Sequence, residues 1–198
     1  MDVLRAMSER GLVFQMTDED SIRRLLDEER LVFYVGFDAT APSLHLGHMV
    51  PLMAASWLQK AGHKPLILVG GATALVGDPS GRSTERTVET KETVDSWAGG
   101  ISAQLPRFLR FGRGSSDAEL LNNADWLGRL GYLDFIRDIG RHFSVNRMLT
   151  ADSVRLRLEK GLSFLEFNYM PLQAYDYLHL YRSRECTLQI GGADQWGN

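Results

Sequence analysis

The residues best equipped for chemistry are His45 and His48, which flank a glycine in His45-Leu46-Gly47-His48. Imidazole N–H groups can donate to phosphate oxygens, and Gly47, lacking a side chain, lets a flat ligand lie against the backbone. Zinc is a weaker reading, because neither Cys186 nor a third histidine lies at ligand spacing, and no metal site is expected. A second polar set, Tyr169, Gln173 and Asp176, is spaced i, i+4, i+7 and shares one face of a predicted helix whose other residues include Leu172, Tyr175, Tyr177 and Leu178. Buried side chains of this kind need partners, which a polar ligand can supply. Further polar groups accompany glycines in Gly36/Asp38/Thr40, in Thr73 with Asp78, and in Gly192/Asp194/Gln195.

Each glycine-associated set follows a candidate strand. Leu31 to Val35 and Pro65 to Val69 are short, uninterrupted apolar runs that predict parallel strands, the first buried on both faces, and Cys186 to Ile190 is a third strand candidate. Between the first two, Leu46, Met49, Val50, Met53, Trp57 and Leu58 recur with helical period, Ser43 is a candidate cap and Gly62 a stop. Pro51 fits in two ways: it kinks a helix that starts at Ser43, or it sits close to the tolerated first turn of one that starts nearer Gly47. In an open α/β fold these strand ends deliver their polar residues to one edge of the sheet, where ligands bind and where helix N-termini favour anions. Gly77 to Ser83 is not a phosphate-binding P-loop: only Asp78, Pro79 and Ser80 separate its glycines, and Arg82 stands where lysine is required.

The remaining chain is scaffold. Val3 to Arg10 and Asp18 to Arg30 read as helices, the second capped by Thr17 or Asp18 and burying Ile22, Leu25 and Leu26. Thr93 to Leu109 is amphipathic, with a weak centre at Gly99-Gly100. From Leu120 the chain reads as helical, with Leu127, Leu130, Leu133, Ile136 and Ile139 on one side, Asn146 and Arg147 in a turn, and Val154, Leu156 and Leu158 in a further segment. With 198 residues, 44% hydrophobic, 24% charged and a net charge of −3, the composition suits one globular domain and argues against a general nucleic-acid binder. The single cysteine excludes an internal disulfide and suits a reducing compartment, and the acidic N-terminal stretch lacks targeting features; a cytoplasmic location is expected. No run of about 18 apolar residues is present to span a membrane.

His45-Leu46-Gly47-His48, within Tyr34-x-Gly36-x-Asp38-x-Thr40-Ala41-x-Ser43-Leu44, resembles the signature of class I aminoacyl-tRNA synthetases, and within them the tyrosyl-tRNA synthetases of bacterial and organellar type. The run Leu188-Gln189-Ile190-Gly191-Gly192-x-Asp194-Gln195-Trp196-Gly197-Asn198 extends that resemblance over nearly the whole chain. It implies a Rossmann-like parallel sheet over residues 31–198, preceded by a helical segment over 1–30 and carrying a helical insertion over about 112–165. It also implies ATP as a substrate, with Mg2+, and L-tyrosine and tRNA(Tyr) as partners, in a homodimer whose apolar interface patch includes Phe164. By the resemblance, Thr40 and His45 donate to the leaving phosphates, with Arg82 and Arg86 on a mobile loop. Asp38, Gly47, His48, Gly192 and Asp194 hold the adenylate, Asp194 through the ribose. Asp78, Tyr169, Gln173 and Gln195 hold the amino acid's charged end, Gly36, Thr73 and Gln189 complete the tyrosine pocket, and Tyr34 and Asp176 bond the phenol.

The chain has no Lys-Met-Ser-Lys-Ser loop, so the resemblance implies an N-terminal catalytic fragment without the lysine loop and the tRNA-binding parts. Three competing readings are a non-catalytic tyrosine or nucleotide module, a nucleotidyltransferase with another acceptor, and a tryptophan-specific relative. Tyr34, Tyr169, Gln173 and Asp176 together disfavour the nucleotidyltransferase, and Asp176 paired with Tyr34 favours a phenol over the tryptophan-specific reading.

Overall fold

The computed structural model describes residues 2–80, 89–158 and 161–196. It contains an open sheet of four parallel strands: β1 (Val32–Asp38), β2 (Lys64–Gly70), β3 (Glu119–Asn122) and β4 (Cys186–Gln189), in the order β3-β2-β1-β4. The chain therefore starts at the sheet's centre, builds outward to β3, and returns on the other side of β1. That reversal puts a topological switch between β1 and β4, where the loops leaving the two strands diverge and open a crevice at their carboxyl ends.

Helices α1 (Val3–Ser8) and α2 (Glu19–Glu28) precede β1, and Asp18 caps α2 by accepting from Ser21 N. Val3, Leu4 and Met7 of α1 and Leu26 of α2 share one core with Phe33, Val35 and Phe37 of β1 and Leu52, Ala55 and Leu58 of α3 (Leu46–Lys60), so α1 and α2 are part of the sheet's own packing. The period of two in β1 turns Tyr34 to the opposite face, where it meets Leu66, Leu68, Cys186 and Leu180. Thus one strand supplies the apolar support of α3 and the polar tip of Tyr34.

After β2 come α4 (Thr73–Val76) and α5 (Lys91–Gln104), which runs through Gly99 and Gly100 without a break. Gly77, at φ +90°, makes the turn that delivers Asp78. A Cβ at Gly100 would overlap the Pro42 carbonyl oxygen, so this glycine admits the Asp38–Pro42 turn against α5.

Glu119–Asn122 corrects the expectation of helix from Leu120: it is an edge strand paired with β2 from Leu66 to Val69. Four residues are too few to show a period, and Glu119 and Asn122 at its ends hide the apolar pair Leu120-Leu121. The helical stretch expected over about 112–165 begins only at Ala124. It comprises α6 (Ala124–Leu127), α7 (Tyr132–Asp138), α8 (Val145–Met148), α9 (Asp152–Leu158) and α10 (Phe164–Phe167), and Asn146 and Arg147 lie in α8 rather than in a turn. Helix α11 (Tyr169–Arg184) follows, with Pro171 in its first turn. Asn168 precedes it in right-handed helical conformation without a side-chain cap; its amide instead donates to Phe164 O.

Candidate functional site

A cleft of about 350 Å³ opens over the carboxyl ends of β1, β2 and β4, bounded by the start of α3 and one face of α11. That size is ordinary for a small-ligand site. Its lining includes Tyr34, Gly36, Asp38, Thr40, His45, Gly47, His48, Thr73, Asp78, Tyr169, Gln173, Asp176, Gln189, Gly192, Asp194 and Gln195. Arg82 and Arg86 lie outside the described residues.

At the α3 end the expected Ser43 cap is replaced by His45. Its Nδ1 accepts from Gly47 N at 3.1 Å, while His48 Nδ1 accepts from His45 N at 3.3 Å. An imidazole nitrogen thus does the work usually given to a serine or aspartate oxygen. Because both Nδ1 atoms are acceptors, the proton of each neutral ring is on Nε2. The rings stack at 3.7 Å, and Phe37 meets His48 edge-on. Burial, with His45 beside it, lowers His48 to about 4, so it is a neutral Nε2–H donor at neutral pH. The helix starts at Leu46, which places Pro51 in its second turn. Proline has no N–H, so the Gly47 carbonyl at the cleft lacks the i+4 donor of a regular α-helix.

Asp38 is the hub of the cleft. Thr73 Oγ1 donates to one carboxylate oxygen at 2.7 Å and Tyr169 OH to the other at 2.9 Å, joining β1, the loop after β2, and α11. Burial and the Asp38 charge raise the Tyr169 phenol well above its usual range and keep it a donor. A Cβ at Gly70 would overlap both Asp38 Oδ1 and Thr73 Oγ1, so only glycine fits beneath this junction.

Deeper in, the Tyr34 hydroxyl is buried without a hydrogen-bond partner among the described residues, and burial, followed by the Asp176 charge, holds it protonated. Asp176 accepts from Asn123 Nδ2 at 2.9 Å and Trp126 Nε1 at 2.7 Å. Burial raises its carboxyl to about 7, against the lowering effect of those two donors. Asn123 also donates to Thr73 Oγ1 and accepts from Ala72 N, so one amide ties Asp176 to the Asp38 hub. Asn123 and Trp126 were not identified from the sequence. Their signal, a polar residue just past a strand end, depends on recognising β3.

At the other end Gln195 Nε2 donates to Asp78 Oδ2 at 2.8 Å and Asp194 Oδ2 at 3.1 Å, and Gln173 Nε2 to Gln195 Oε1 at 3.3 Å. Ser80, another residue not picked out from the sequence, lines the cleft and donates its backbone N–H to Asp78 Oδ1. Gln173 Oε1 is buried without a partner among the described residues. Among the described lining residues are four aspartates and no lysine or arginine. The cleft therefore suits a ligand with a cationic end, a polar group that bonds Tyr34 and Asp176, and phosphates facing the Nε2 atoms of His45 and His48. Among the described residues no three His, Cys, Asp or Glu side chains are grouped as a metal ion requires.

Residues 26–198 match the family described as tRNA synthetases class I (W and Y). The chain is 54% identical over 198 residues to the tyrosine–tRNA ligase of Geobacillus stearothermophilus, covering all of this chain and 47% of that protein. Among solved structures, the C-terminally truncated mitochondrial tyrosyl-tRNA synthetase of Aspergillus nidulans superposes with TM-score 0.88 at 33% identity, over 99% of this chain and 58% of that one. The Coccidioides posadasii counterpart gives 0.84 at 34%, over 100% and 56%. The chain spans about half the length of the curated relatives it matches.

Proposed function

Since the chain belongs to the class I tRNA synthetases of the tryptophan and tyrosine group, we propose that its cleft binds L-tyrosine and ATP and holds them for formation of tyrosyl-adenylate. In the whole protein that adenylate would charge tRNA(Tyr). The observation that carries the tyrosine reading is the buried, unpartnered Tyr34 hydroxyl beside Asp176, a donor–acceptor pair that a phenol completes. The proposed location is cytoplasmic, in keeping with the single buried cysteine.

The substrate carboxylate, ionised at neutral pH, attacks the α-phosphorus. A P–O bond forms to the amino acid, and the bond to the β-phosphate oxygen breaks and releases pyrophosphate. No protein base is required, so the protein's contribution is positioning and charge stabilisation. Asp78, with Gln173, Gln195 and Tyr169, would meet the ammonium and carboxylate end. Thr73, Gly36 and Gln189 would complete the wall of the tyrosine pocket.

Thr40 and the Nε2–H groups of His45 and His48 would donate to phosphate oxygens and the nucleoside. Gly47 and Gly192 would let the nucleoside approach the backbone, Asp194 would take the ribose, and Asp38 would hold the two halves of the site together. Arg82 and Arg86 are proposed for the pyrophosphate. Mg2+ would arrive on the triphosphate as part of the substrate, as Mg2+ commonly does, rather than on a protein cage.

We also propose a homodimer, supported by exposed apolar residues on the α7–α10 side, among them Leu133 (79% exposed) and Phe164 (70%). The test of the adenylate reading is a titration with a non-hydrolysable tyrosyl-adenylate analogue. It should bind more tightly than tyrosine or AMP alone. Binding no tighter than the better of the two fragments would overturn a joined site.

A further inference from the structure

Arg157 of α9 and Glu166 of α10 are both 2% exposed, and Arg157 Nη2 donates to Glu166 Oε2 at 2.9 Å. Neither residue lines the cleft. Among the described residues Arg157 Nε and Glu166 Oε1 are buried without partners, so this is an ion pair of high desolvation cost and incomplete hydrogen bonding. Two well-packed apolar side chains would serve stability as well or better, which leaves direction as what the charges contribute.

That direction leads to the cleft. Glu166 also accepts from Ser163, whose Oγ caps α10 by accepting from Glu166 N. Asn168 continues the helical backbone from α10 into α11, so the two helices turn together. Residues 166, 169, 173 and 176 are spaced i, i+3, i+7, i+10 and fall on one helical face. The buried pair is thus the outer end of the row that presents Tyr169 to Asp38, Gln173 to Gln195, and Asp176 to Asn123 and Trp126.

We propose that Arg157 and Glu166 are positioning residues: their pair clamps α10 to α9 and thereby sets the rotation and height of the α11 face in the cleft. The proposal deepens the tyrosine reading and rests on it for the binding measurement, but not for the measurement on the ligand-free chain.

The experiment compares the chain with Glu166→Gln and with the apolar double variant Arg157→Met/Glu166→Leu, by thermal unfolding, amide hydrogen exchange, and calorimetric titration with L-tyrosine and with AMP. Glu166→Gln should unfold at lower temperature and bind tyrosine more weakly by about tenfold or more, the scale of loss that a displacement near 1 Å produces. The double variant should regain thermal stability but not tyrosine affinity. In both, exchange should rise over residues 164–176 of the ligand-free chain while α3 exchange and AMP affinity stay unchanged.

Recovery of stability, tyrosine affinity and exchange protection together in the double variant would show ordinary packing and overturn the proposal. Failure of the double variant to fold would overturn it too, by making the pair a folding requirement. If the unaltered chain binds no tyrosine, the proposed function falls, and the exchange comparison still decides the clamp.

Discussion

Tyr34→Phe separates what a residue does for the fold from what it does for a ligand. Tyr34 is 1% exposed, and its hydroxyl has no hydrogen-bond partner among the described residues. Leaving such a group unsatisfied costs about 1–3 kcal/mol, and deleting it forfeits only the contacts of a single oxygen atom. The net expectation is a gain of about 1 kcal/mol, which for a chain of this size raises Tm by about 2–4 °C. With tyrosine bound, the same hydroxyl has a partner. Its loss removes one neutral hydrogen bond of about 0.5–1.5 kcal/mol from the complex, and with the gain of about 1 kcal/mol in the free chain it weakens tyrosine binding by about ten- to seventyfold. L-Phenylalanine brings no phenol and should bind the variant at least as well as the parent. The assay is thermal unfolding without ligand, followed by calorimetric titration with both amino acids. A fall in Tm of several degrees would show that the hydroxyl has a protein partner. An unchanged tyrosine affinity would show that the ligand's phenol does not reach Tyr34.

The adjacent pair Gly99 and Gly100 should respond in opposite directions to alanine. Gly99→Ala meets nothing and should gain about 0.5–1 kcal/mol from helix propensity, while Gly100→Ala strikes the Pro42 carbonyl and should lose about 1–3 kcal/mol, both read by thermal unfolding. Asp176 is raised to about 7 from an ordinary 3.8, so the folded chain holds an extra proton between those values and this group's stabilising contribution falls as pH rises from about 4 to about 7. His48, lowered to about 4 from 6.5, works the other way and loses its contribution as pH falls through the same range. Asp176→Asn should therefore leave a Tm that rises more steeply from pH 4 to 7 than the parent's, and a parallel pair of profiles would refute the assignment. Leu133→Asp with Phe164→Asp should shift a dimer towards monomer in sedimentation equilibrium, without loss of helix content by circular dichroism.

Legibility followed the markers around each element. β1 and β2 are apolar runs next to glycines, β4 is marked by the Gly191-Gly192 pair just beyond it, and finding all three was enough to bring Asp38, Asp78 and Asp194 to one edge of the sheet. Tyr169, Gln173 and Asp176 were readable as one face because helical spacing is a property of the sequence itself. β3 was not, because a four-residue edge strand bordered by Glu119 and Asn122 carries no period. With it went Asn123 and Trp126, whose roles exist only once β3 lies beside β2. The His45 cap was hidden for a chemical reason: imidazole is not among the usual capping side chains, and Ser43 two residues earlier is. The Arg157–Glu166 pair was equally unreadable, since two ionic residues nine apart ordinarily signal a solvated surface. Only tertiary packing buries them.

The central claim is a cleft that recognises a phenol through Tyr34 and Asp176. It is tested most directly by titrating this chain with L-tyrosine, L-phenylalanine and L-tryptophan at one pH and salt. Saturable tyrosine binding at least about a hundredfold tighter than either competitor is predicted, since a ligand without a phenol leaves the buried Tyr34 hydroxyl unsatisfied and forfeits a hydrogen bond to the Asp176 carboxylate, together about 3 kcal/mol. Equal affinity for tyrosine and phenylalanine, or a preference for tryptophan, would contradict the account.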